Sequence, residues 1–167
     1  MKANEEALTA ERVRELLDYS PETGGLLWKV SQGAAKAGSV AGTTNNKGYR
    51  LIKIDGRSYF SHRLVWVHAN GVWPANQIDH INGVRNDNRI TNLREATVSE
   101  NVSNQRKART DSQTGLLGAS WHRGMKKFEA QIQLDGKITR LGYFPTAEQA
   151  HQAYLVAKRE LHPFCTI

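Results

Sequence analysis

An acid and an imidazole stand side by side in the stretch IDHINGVRNDNRITNL, residues 78 to 93, as Asp79 and His80. Cleaving a phosphodiester needs an activated water, neutralised phosphate charge and help for the departing 3′ oxygen. An imidazole titrates near neutrality and can serve as the base. One hard divalent cation can do the other two jobs, and Mg²⁺ binds through only one or two protein oxygens while keeping its waters. Asp79 and Asn101 both offer such oxygens. The bland alternative is a polar surface loop, because Asn, Asp and Gly are the residues that turns use. Ile78 and Ile81 bracket the pair as on a strand, and neighbouring strand positions face opposite sides. Serving one centre would therefore take a twist, a bulge or a substrate wrapped around the strand end.

The elements that must position these residues can be read around them. LTAERVRELLD, residues 8 to 18, predicts a helix capped by Thr9, with Leu8 and Val13 as a hydrophobic staple. SPETGG ends it and GLLWKV opens β-structure. In YRLIKIDGRSYFSHRLVWVHANG, Asp55-Gly56 has the composition of a type I′ hairpin. Ser61 is expected to cap the helix that follows, and Gly71 to close it. His62 and His68 on that segment read as packing or surface histidines. Thr97 and Glu100 have capping-box spacing, so a helix should begin at about residue 98 and carry Asn101, with Asn104 one turn on. The order is β, loop, β, α. DSQTG then reads as a linker, expected over 111–116.

Beyond the linker, Phe128, Ala130, Ile132 and Leu134 alternate with polar residues at the period of a half-buried strand. Asp135-Gly136 signals a second hairpin, and GLLGASWHR supplies an earlier strand. Thr146 and Gln149 form another capping box, ahead of an apolar stripe of Ala150, Ala153, Tyr154, Ala157 and Leu161. Three antiparallel strands under one helix would leave a face of lysines, glutamines and an arginine open.

Composition narrows the function classes. The 167 residues are 39% hydrophobic and 23% charged, as in a soluble globular chain. No apolar run is long enough to span a membrane, and the acidic N-terminus is unlike a signal peptide, so a cytoplasmic protein is expected. The single cysteine, Cys165, excludes a disulfide framework and any zinc site of several thiolates. The formal net charge is +7 and the pI about 9.7, which points to a polyanionic partner rather than a small-molecule substrate. Eight Lys and Arg against three acids fall between Gln105 and Leu141.

The set Asp79-His80, Asn92 and Asn101 resembles the His-Asn-Asn form of the HNH nuclease motif. From HRLVW (62–66) through residue 105 the stretch resembles phage and homing-type HNH endonucleases, with a ββα-metal finger at about 76–109. That resemblance implies catalytic-motif roles for His80, as general base, and for Asn92, which would shape the hairpin loop. It implies Asp79 and Asn101 as ligands of one divalent metal, Mg²⁺ or Mn²⁺, with Asn104 and Arg106 against the DNA backbone. An asparagine in the last position, where many members have histidine, favours a hard ion over Zn²⁺.

GASWHRGMKKFEAQIQLDGKITRLGYFPTAEQAHQAYLVAK resembles the APETALA-type DNA-binding domain. The resemblance implies that the open sheet face enters the major groove of double-stranded DNA. Ser120, His122, Gln131, Gln133 and Arg140 would lie outward, with Arg123, Lys126 and Lys127 at a turn. Gln can pair with adenine and Arg with guanine, whereas lysines meet phosphates. Trp121 is open to two readings, a DNA stack or a core residue.

The expectation is an α+β protein: a nuclease domain over 1–110, a linker, and a DNA-targeting domain over 117–167. The reaction is metal-dependent DNA hydrolysis leaving 5′-phosphate and 3′-hydroxyl ends, with nicking expected from a single finger. The alternatives are a non-catalytic DNA-binding regulator with a degenerate finger, and an RNA-binding protein that rests on charge alone.

Overall fold

The computed structural model describes residues 7–105, 107–134 and 136–162. It is mixed α and β, with four α-helices and four small sheets among the described residues. The chain divides into two compact units, Met1–Ala96 and Thr97–Ile167. This division by packing lies ahead of the 111–116 linker at which the sequence suggests a domain boundary.

In the first unit, α1 (Ala10–Leu16) is capped by Thr9, whose Oγ1 accepts from the Arg12 N–H at 3.2 Å. Leu8 and Val13 are both buried, as a staple requires. The helix stops two residues short of expectation. Leu17 leaves it to open β1 (Leu17–Ser20), which pairs antiparallel with β2 (Gly25–Trp28). Leu16 is buried from the helix and Leu17 from the strand, so ending the helix there buries both. Ladder hydrogen bonds replace the helical ones that are given up.

A three-stranded antiparallel sheet follows: β3 (Thr43–Thr44), β4 (Arg50–Ile54) and β5 (Arg57–Phe60). Asp55 and Gly56 both take positive φ, 47° and 80°, so the predicted type I′ turn forms. α2 (Ser61–Asn70) ends at Gly71, whose N–H donates to Val67 O at 2.8 Å from a left-handed conformation. Ser61 is not its cap. Phe60 holds that position and Ser61 is the first helical residue, buried, with its hydroxyl unpartnered among the described residues. β6 (Gln77–His80) and β7 (Leu93–Ala96) close the unit as an antiparallel pair, after a 3₁₀ turn at Ile90–Asn92. Val13, Leu26, Ile52, Leu64, Val67 and Ile78 share one apolar core, which ties β6 to α1, α2 and both preceding sheets.

In the second unit, the Thr97–Glu100 capping box opens α3 (Val98–Ser103). The Thr97 N–H reaches Glu100 Oε2 at 2.7 Å, and the Glu100 N–H reaches Thr97 Oγ1 at 3.3 Å. β8 (Ala119–His122), β9 (Lys127–Leu134) and β10 (Lys137–Phe144) form an antiparallel sheet in the order β10-β9-β8. α4 (Ala147–Leu161), capped by Thr146, packs its Ala150 against Ala119 and Ala130. Gly118 takes a φ of +69°, and a Cβ there would occupy the space of the Tyr154 ring, so only glycine fits. Gly136 has the positive φ of the expected second hairpin, while Asp135 lies outside the described residues.

Candidate active site

The site is built at the end of β6. His80 is the last residue of that strand, and its carbonyl accepts the Gly83 N–H at 2.8 Å as the chain turns. The loop to β7 is stapled by its own amides. Asn92 Oδ1 accepts from the Asn82 N–H at 2.9 Å, while its Nδ2 donates to Asn82 Oδ1 at 3.0 Å and to Asp87 O at 2.7 Å. Asn82 Nδ2 donates to Asp87 Oδ2 at 2.7 Å, and Arg89 grips the same carboxylate. The Arg89 guanidinium, foremost, holds the Asp87 carboxyl down at about 2. Asn92 thus makes the kind of loop-shaping bonds that the motif implies for it.

Two residues from the hairpin β1–β2 hold this loop from outside. Tyr19 Oη accepts the Ile90 N–H at 2.8 Å. Gly24, at a φ of +71°, lets the turn approach so closely that a Cβ would overlap the Asn88–Arg89 backbone.

His80 is buried and its Nε2 lies 2.9 Å from Asn88 Oδ1. An amide oxygen only accepts, so Nε2 carries the proton and Nδ1 keeps the lone pair that a base uses. The His62 ring packs edge-on against His80 at 5.2 Å, and Tyr49 lies 6.2 Å away on the same cluster. Burial pushes the His80 pKa below its ordinary value, against the opposing pull of the Asn88 hydrogen bond. His62 is pushed further, to about 3, by burial first and then by His80 and Arg63. Both rings are therefore neutral at physiological pH.

Asp79 goes the other way. It is buried, and its Oδ2 accepts from Arg94 Nε at 2.9 Å and Nη2 at 2.8 Å. Asp79 and Arg94 are directly opposite in the β6–β7 ladder. Strand alternation is kept: the acid takes a cross-strand partner, the imidazole turns to α2 and Asn88.

Among the predicted residues, the structure brings Asp79, His80 and Asn92 into one loop-and-ladder assembly. Asn101 stands on α3, in the second unit, where its N–H donates to Thr97 O at 3.0 Å. Asn104 follows that helix and is only 7% exposed. Arg106 lies outside the described residues.

On the second unit, Ser120, Gln131, Gln133, Arg123, Lys126 and Lys127 are all exposed, the last three at the β8–β9 turn. Arg140 is exposed but pairs with Glu129 and lies 5.3 Å from the Tyr143 ring. His122 Nδ1 accepts the Met125 N–H at 3.1 Å, and its ring stands edge-on to Tyr143. Trp121 is 43% exposed yet packs edge-on against Phe128, so it has one side in each of its two readings.

Sequence reasoning passed over Asn88, Arg94 and Tyr49, and read His62 only as a packing or surface histidine. Arg94 had a signal, since it follows Leu93 at the register that faces Asp79 once the hairpin is drawn. His62 had none, because only the packing of α2 brings it to His80.

Residues 59–103 match the family model of the HNH endonucleases. The matched segment starts in β5, runs through α2, β6 and β7, and ends with α3, so it contains Asp79, His80, Asn92 and Asn101. It supports an HNH nuclease and, with it, nuclease chemistry on DNA. No curated protein and no solved structure matches the chain.

Proposed function

We propose that the chain is a metal-dependent DNA endonuclease whose general base is His80. The observation that carries this reading is the His80–Asn88 hydrogen bond, which sets the tautomer so that Nδ1 holds the lone pair. His80 takes a proton from water at that nitrogen, and burial of the ring favours its uncharged form before the reaction. Asn92 and Asn82 keep the loop in shape while this happens.

Asp79 and Asn101 would hold one Mg²⁺ or Mn²⁺. Their donor chemistry fits: a carboxylate and an amide are hard oxygen ligands, and an ion of this type keeps waters for its remaining positions. When bound, the ion supplies charge neutralisation on the phosphate and stabilises the leaving 3′ oxygen. Arg94 orients the Asp79 carboxylate through its two N–H bonds.

The finer reading is a homing-type enzyme of phage affinity that nicks one strand and leaves a 5′-phosphate. Its second unit would be an APETALA-type sheet that brings the enzyme to double-stranded DNA. Tethering a reader to a cutter raises the effective concentration of substrate at the site. Ser120, His122, Gln131, Gln133 and Arg140 would face bases, with Arg123, Lys126 and Lys127 on phosphates. A specific observation favours the alternative, a non-catalytic DNA-binding regulator: the Asp79 carboxylate is already engaged by Arg94.

Plasmid relaxation in Mg²⁺, with EDTA as control, separates the two. The enzyme converts supercoiled DNA to nicked circles, and His80→Ala lowers that rate by about 10²-fold or more while gel-shift binding persists. Full activity of His80→Ala would sink the assignment. Binding without cleavage by the wild type would establish the regulator.

A further inference from the structure

Several arginines of the first unit are committed to acids. Arg94 is spent on Asp79, Arg89 on Asp87 and Arg12 on Asp55. Arg85, in the loop that leaves His80, is placed differently. Its guanidinium lies 5.0 Å from the Tyr49 ring centroid, and its Nη1 donates to the Lys47 carbonyl at 3.0 Å. Among the described residues no carboxylate pairs with Arg85, and none pairs with the Lys47 ammonium. Both side chains are exposed.

Two loops are built to meet at this point. Asn45 Oδ1 accepts the backbone N–H groups of Lys47 and Tyr49, each at 3.0 Å, which fixes the turn that carries Lys47. Gly48 takes a φ of +82° within that turn, next to Arg85. The Tyr49 ring that supports Arg85 is also packed 6.2 Å from His80 and 5.5 Å from His62. The Arg85 guanidinium thus meets the turn that carries Lys47 one ring away from the base.

The Tyr49 face and the Lys47 carbonyl hold the guanidinium plane while using few of its five N–H donors. A planar, pre-oriented fork suits a phosphodiester, and the adjoining turn carries a lysine that can add a point charge to it.

We infer that Arg85 and Lys47 form a phosphate clamp, gripping a DNA backbone phosphate next to the one presented to His80. The place of the clamp in catalysis rests on the nuclease reading; its grip on DNA can be measured without cleavage. The clamp would fix the strand's position relative to His80, so that the base meets one phosphate and not its neighbours.

The test uses the full chain and a labelled DNA duplex in EDTA, with affinity measured over a range of salt. Each released counterion contributes about 0.9 to the slope of log affinity against log salt. Arg85→Ala and Lys47→Ala should each lower that slope by roughly 1, and the double variant by roughly 2. Arg85→Lys should keep the slope but bind more weakly, since the charge remains and the fork is lost. Arg57→Ala, exposed at the far end of the β4–β5 hairpin, should leave the slope unchanged. In Mg²⁺, Arg85→Ala should raise KM about tenfold with little change in kcat. Lys47 sits on an exposed turn, so Lys47→Ala keeps the test open if the Arg85 variant unfolds. Unchanged slopes in both single variants overturn the clamp, as does an equal fall in Arg57→Ala. If the slopes fall and the wild type does not cut DNA, the clamp stands and the nuclease reading falls.

Discussion

Burial of His62, reinforced by His80 beside it, carries a pH dependence. His62 is held at about 3 in the folded chain, against an ordinary value of 6.5. Between those values the unfolded chain binds a proton at His62 that the folded chain does not. Stability is therefore full above about 6.5 and is lost as pH falls through the window. His80, also lowered by burial, acts in the same sense. Urea unfolding at pH 7 and at pH 5 measures this. The wild type should lose roughly 2 kcal/mol more between the two pH values than His62→Leu does. Equal losses would mean that His62 is solvated and protonates freely. For activity the depressed His80 value means that the base stays neutral below the ordinary histidine range, so cleavage should persist in mildly acidic buffer.

At the scale of elements, the β6–β7 loop is rigid because several layers of polar bonds and one hairpin hold it. Its inner layer was legible: a stretch so rich in Asn and Asp, ending in Asn92, reads as a loop that bonds to itself. Its outer support was not, because Tyr19 and Gly24 lie about 70 residues upstream of their partners. Gly24→Ala tests that support. The φ of +71° and the overlap with the Asn88–Arg89 backbone should together cost about 2 kcal/mol or more, seen as a lower unfolding midpoint. Because Asn88 holds His80, the same variant should lose cleavage at temperatures where it is still folded. Wild-type stability would show that the hairpin and the loop are not in contact. β1 itself was missed for a related reason. Leu16 and Leu17 are adjacent and both apolar, which one helix face or a helix–strand junction accommodates equally well in sequence.

At the scale of the whole molecule, a net charge of +7 is distributed over two units that use it differently. In the first, Arg94 and Arg89 near the site are neutralised by acids, whereas among the described residues no carboxylate pairs with Arg85 or Lys47. In the second, the open sheet face mixes amides with one buried acid, Glu129, that pairs with Arg140. If that face meets DNA, the carboxylate both restrains Arg140 and repels phosphate. Glu129→Gln should then tighten DNA binding several-fold and steepen its salt dependence, with Arg140 released. Unchanged or weaker binding would place the DNA contact of this unit elsewhere. No helix among the described residues is long and apolar enough to cross a membrane.

The sequence by itself determined the local chemistry: which residues could act, which turns must form, and where the helices capped by Thr9, Thr97 and Thr146 begin. Asp55-Gly56 and Thr97 with Glu100 did as expected because each depends on neighbours within a few residues. Tertiary structure decided the partners. Arg94 on Asp79, Asn88 and His62 on His80, Tyr49 under Arg85, and Glu129 on Arg140 are choices made by register and packing. The physical reason is the range of the forces. A capping bond or turn is fixed by φ and ψ over one short segment. A buried ring's protonation state, or a carboxylate's partner, depends on which distant side chains exclude water from it.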